Sequence, residues 1–215
     1  MAYQRVAHSD PFSDGSATDA AAVVNALSAG LEAAESAIAG NITKSGWWTS
    51  NGPVSGSSYQ MIANLLYLGL FHVRQAHSID RIGVAIATPG SAGSVIRLGV
   101  YRLDANRAEA TLVLDAGTVD GTQAAGAYAI TVDQSLTPGV FLLGAVSQGA
   151  PATAPYARGG IGAGPGELLG GSAQSGVVNQ GTAGLYLSGV SGALPATANS
   201  LGRYSTALTI AVRIK

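Results

Sequence analysis

At 215 residues the chain has room for one well-buried domain and an appendage, with 30 glycines, no cysteine and a hydrophobic share of 47%. Its 11 basic and 12 acidic residues leave a net charge of −1; without a basic stripe to neutralise phosphates the chain is a poor nucleic-acid binder, and without cysteine it has neither disulfides nor thiolate chemistry. A charged share of 11%, against about 25% in an average soluble domain, favours a surface largely covered by neighbouring subunits, as in a homo-oligomer or a larger particle.

The N-terminal MAYQRVAHSDPFSDGS has polar residues where a signal peptide needs an apolar run. The longest apolar segment, Met61 to Val73, is interrupted by Asn64, Gly69 and His72 and is too short to span a bilayer. These features predict a soluble, unprocessed chain made in the cytoplasm, with no membrane insertion.

Residues 1–15 read as an extended arm, since Pro11, Gly15 and the Ser-Asp pairs oppose regular structure. From Ser16 the chain turns rich in Ala, Leu and Glu, with Ser16 and Asp19 spaced as a capping box and Gly40-Asn41 as a stop, which predicts a helix over residues 16–40. Ala17, Ala20, Val24, Leu27, Leu31, Ala34 and Ile38 follow a 3-4-3-4 spacing that suits the seam of a coiled coil, with Val24, Leu27, Leu31 and Ile38 as oligomer-core candidates. The same stripe also suits an amphipathic helix lying on its own β-domain or on a partner.

Residues 41–58 form a Gly/Ser-rich connector around Trp47 and Trp48. An indole pair there either plugs a subunit junction or offers a stacking platform for a sugar, and the lack of a nearby acidic pair favours the plug. Residues 59–215 read as a β-domain, which Tyr59 to Val73 opens. From Ile79 to Gly149 apolar residues recur at every second position, as in Ile82, Val84, Ile86 and in Ile96, Leu98, Val100, which predicts strands with one buried face. Thr88-Pro89-Gly90, Asp104-Ala105-Asn106, Asp115-Ala116-Gly117, Asp120-Gly121 and Thr137-Pro138-Gly139 read as turns between them. The tract Gly159 to Gly171 lacks the spacing of a nucleotide loop and reads as a flexible loop. Gly184 to Val190 and Leu208 to Lys215 read as late strands. The expected fold is mainly β, an antiparallel β-sandwich of jelly-roll type preceded by an arm and one helix.

Chemistry is sparse. His8 lies in the arm, while His72 and His77, five apart, would point to opposite faces of one continuous strand and so could not chelate one metal. The closest carboxylate pairs, Asp115 with Asp120 and Glu32 with Glu35, fall in a turn region and on a solvated helix face. No GxSxG elbow, HExxH helix or complete calcium loop occurs, and Asp104-Ala105-Asn106 begins a calcium-like pattern without continuing it. The expectation is a protein with no catalytic residue, cofactor or metal. Trp47, Trp48, Tyr101 and Tyr156 remain as candidate sugar-stacking residues of a carbohydrate-binding module.

The segment IDRIGVAIATPGSAGSVIRLGVYRLDANRAEATLVLDAGTVDG, with the LTPGVFLLGAVSQG run that follows, resembles a β-sandwich domain of tailed-bacteriophage virion proteins. Minor tail proteins, tail fibres, head fibres and decoration proteins carry that domain. The resemblance covers Ile79 to Gly149, about a third of the chain. It implies a virion location, a structural role exposed on the particle and possible contact with a host-surface glycan, and it carries over no catalytic residue. Arm, helix and sandwich in that order predict a homotrimer that attaches to other virion proteins through residues 1–40.

Overall fold

The computed structural model describes residues 46–50, 57–105, 109–161, 184–204 and 206–215. The arm over 1–15, the helix over 16–40 and its seam residues Val24, Leu27, Leu31 and Ile38 lie outside the described residues. The described β-rich part falls within a compact unit running from Lys44 to Lys215.

Among the described residues fourteen strands carry the fold and no helix occurs. They are β1 (Trp47–Thr49), β2 (Ser58–Gln60), β3 (Leu65–Val73), β4 (His77–Thr88), β5 (Val95–Leu103), β6 (Ala110–Asp120), β7 (Gly126–Leu136), β8 (Gly139–Gln148), β9 (Tyr156–Ile161), β10 (Gly184–Ser188), β11 (Thr197–Ala198), β12 (Gly202–Tyr204), β13 (Thr206–Leu208) and β14 (Ile210–Ile214). All pair antiparallel. One sheet runs β1-β14-β4, with β7 on the other edge of β4; β9 pairs with the last residues of β4, beyond the end of β14, and β13 and β2 pair with β9. The second sheet runs β11-β6-β5-β8-β3-β10-β12.

The period-two runs account for the core between the sheets. Ile79, Ile82, Val84 and Ile86 of β4 and Ile210 and Val212 of β14 meet Ile96, Leu98 and Val100 of β5 and Phe141, Leu143 and Ala145 of β8 in one buried cluster. Burying an aliphatic side chain contributes about 1.5–3 kcal/mol, so this cluster is the principal driving force for the two sheets to associate.

The structure corrects four expectations. The second sheet is buried on both faces: Leu66, Leu68 and Leu70 of β3, Tyr101 and Leu103 of β5, and Leu142 and Val146 of β8 form a second cluster with Leu185, Val190, Leu194 and Ala198. Residues 189–198 therefore lie as a strap over its outer face, and the uninterrupted apolar runs of β3 and β8 are the sequence consequence. Next, Asp115-Ala116-Gly117 is a bulge inside β6, not a turn. Gly117 has a φ of 89°, and the register skips from Leu98↔Gly117 to Gly99↔Asp115, the extra residue being absorbed by a glycine in left-handed conformation. Third, the connector expected over 41–58 contains β1 and the start of β2, because Trp48 finds core to pack on; the tract from Gly159 likewise begins as strand β9. Finally, His72 lies one residue before the end of β3 and His77 opens β4, so the two histidines never share a strand.

Candidate functional site

Successive residues of a strand face opposite ways, and β1 separates the two tryptophans accordingly. Trp48 turns inward onto the core, where its Nε1 is buried without a hydrogen-bond partner. Trp47 turns outward and is 49% exposed, which with Ile62 makes it one of two large apolar side chains so exposed among the described residues. A tandem indole platform is thereby ruled out, since the two rings lie on different faces.

Trp47 borders a shallow groove of about 270 Å³ on the outer face of the first sheet, lined with it by Gly83, Ala85, Ala127, Ala129 and Ala211. The floor is flat because the register aligns small residues across three strands, Ala211↔Gly83↔Ala129. Gly83 is required by that alignment: a Cβ there would sit 2.7 Å from the Tyr128 carbonyl oxygen and 3.1 Å from Ala129 Cβ. The guanidinium of the strand partner of Trp47 is already engaged. Arg213, that partner on β14, donates from Nε (2.8 Å) and Nη2 to the two oxygens of Asp80. That fork holds the Asp80 carboxyl below the usual carboxylate range and the Arg213 guanidinium above its own. The described lining of the groove is thus apolar with an aromatic rim, suited to a flat, weakly polar partner, and includes no carboxylate, histidine, lysine or arginine.

A second constellation lies under the strap. Arg97 Nη1 donates to both oxygens of Asp115 at 2.8 Å, and Asp115 also accepts from the backbone N–H of Leu194 at 3.1 Å and of Gly117 at 3.2 Å. Burial alone would raise the Asp115 carboxyl, but the Arg97 hydrogen bond and the two backbone donors outweigh it and hold the carboxyl low. Gln148 donates to the carbonyls of Val190 (2.9 Å) and Gly192 (2.8 Å), and the buried Tyr101 hydroxyl donates to that of Pro195 at 3.1 Å. Burial pushes the Tyr101 hydroxyl well above its ordinary value. These polar groups are struts for the strap; Asp115 is spent on Arg97 and the strap, so it forms no acid–base pair with Asp120, which instead accepts from Thr122.

Of the candidate stacking residues, Tyr101 is fully buried and Trp48 faces the core, while Tyr156 is half-buried in β9. Trp47 alone of the four stands out from the surface. Among the described residues no group of three or more His, Asp or Glu is placed to hold a metal ion. A further pocket of about 390 Å³ beside Arg102, Asp104 and Gly139 is bounded by a guanidinium already donating to Thr137 Oγ1 at 2.9 Å and lying 5.8 Å over the Phe141 ring. The groove floor was missed from sequence, although alternate small residues opposite buried Ile and Val in GVAIA, AYAIT and IAV mark it. Compared with known proteins, the chain matches no family model and no curated protein.

Proposed function

We propose that this chain is a non-enzymatic bacteriophage virion structural protein, associated with the tail and exposed on the particle surface. Residues 1–40 attach it to other virion proteins and join three copies, and the β-domain projects outward, where it can meet a host-surface glycan. The observation that carries this reading is the strand order. Taken as β1-β14-β4-β7 and β3-β8-β5-β6, the two sheets have the order of a jelly-roll sandwich, with β9 to β13 inserted between β8 and β14. Jelly rolls recur in viral capsid and lectin domains. The deployment of Arg97, Asp115, Asp80 and Arg213 as struts adds support, since such groups hold a scaffold rigid instead of lining a cleft.

Quantitative mass spectrometry of purified particles tests it. A handful of chains per particle is expected for a tail component; hundreds would move the protein to capsid decoration or a head fibre, and absence from the particle would overturn the proposal. Carbohydrate binding is the second reading, favoured by the exposed Trp47 on an apolar groove. It expects Trp47→Ala to abolish retention on host-surface glycan while leaving particle incorporation intact.

A further inference from the structure

The edge of β7 carries an inference independent of the virion reading. β7 is eleven residues long and pairs with β4 alone among the described residues, so its outer edge presents a row of unpaired backbone donors and acceptors. Folded proteins guard such edges with lysine, proline, bulges or brevity. β7, GAYAITVDQSL, has no lysine, arginine or proline; its one register shift, opposite Ile79 to Arg81 of β4, leaves the alternation of its own side chains intact, and its one ionised residue, Asp133, is met by Lys215 of the same chain at 3.3 Å. Its inward-facing Tyr128, Ile130 and Val132 stay only partly buried, as do Val113 and Val119 of the neighbouring β6. Among the described residues the flank is both unpaired and apolar.

We infer that β7 is the pairing edge for a second copy of this chain, joined antiparallel about a two-fold axis at Thr131. Self-pairing is the commonest way for one surface to satisfy itself, and the sequence of β7 suits this register. Ile130 then faces the second copy's Val132, Tyr128 faces Gln134, and Ala129 faces Asp133, so like charges never stand opposite each other. With a net charge of −1 the two copies scarcely repel. An edge about 37 Å long on a sandwich with sheets about 10 Å apart buries on the order of 1,000 Å² in total, at the border between transient and stable contacts. The pairing is therefore reversible and concentration-dependent.

The absence of native cysteine allows a direct test. Thr131 is exposed, and Thr131→Cys in the full chain places two thiols across the axis within disulfide reach. Oxidation at concentrations where pairing occurs is expected to link chains in twos, whereas Gln123→Cys in the exposed turn after β6 stays unlinked. Thr131→Lys sets lysine against lysine and is expected to halve the mass seen by light scattering, raising the half-dissociation concentration at least tenfold, with a melting temperature equal to wild type at concentrations too low for pairing. Failure of Thr131→Cys to link, equal linking by Gln123→Cys, or an unchanged mass for Thr131→Lys would overturn the inference.

Discussion

Gly99 stands where a methyl group does not fit: a Cβ there would overlap Leu194 Cδ1 and lie 2.7 Å from the Leu114 carbonyl oxygen. Gly99→Ala should therefore destabilise by about 1–3 kcal/mol, the usual cost of overpacking, whereas Gly192→Ala, which meets nothing within 4 Å, should stay within about 0.5 kcal/mol; paired thermal melts check both. Asp115 gives a pH dependence of known sign. Its folded pKa is depressed, so its contribution is fully present above the unfolded value of about 3.9 and is lost as pH falls through the lower folded value. Asp115→Asn should cost about 2 kcal/mol at pH 7, as for a lost hydrogen bond to a charged group. The gap between the two melting curves should then close as pH drops from about 5 toward 2. A gap that stays constant would show that the carboxylate charge is not what holds Leu194. The sequence offered Asp115 and Gly117 as turn residues. Their true use, a bulge with a charged anchor, depends on Arg97 of another strand and had no local signature.

At the scale of elements, alternation was legible and coverage was not. Ile82, Val84 and Ile86, and Ile96, Leu98 and Val100, all are buried as their spacing requires, and the C-terminal alternation closes the sheet as β14 beside β4. The strap over 189–198 has no periodicity of its own, because its backbone is held by side chains from other strands and by short pairing of β11 with β6. What the sequence did contain was its complement, the unbroken apolar runs of β3 and β8, which signal a sheet buried on both faces. Leu194→Ala should cost about 2–5 kcal/mol and selectively speed amide exchange at Leu112, which donates to Ala196, and at Val190, which donates to Asn64. The amides of Ile82 and Val84, buried between the sheets, should exchange at unchanged rates. Uniform acceleration across both sheets would mean that the strap and the inter-sheet core open as one unit.

For the whole molecule, a mainly β architecture was legible from turn chemistry and short alternating runs. Strand order was not, because pairings such as β1 with β14 join residues more than 160 positions apart and only three-dimensional packing decides them. At this scale the described residues form a charge-poor pair of packed sheets braced by buried polar groups, with a groove beside Trp47 and the edge of β7 among its open features. The measurement that tests this account most directly is immunogold labelling of intact particles with antibody raised against the exposed turn over residues 122–125. Label on intact tails is the predicted result; particles that contain no accessible copy of the chain, while the infected-cell lysate contains it in abundance, would contradict the account.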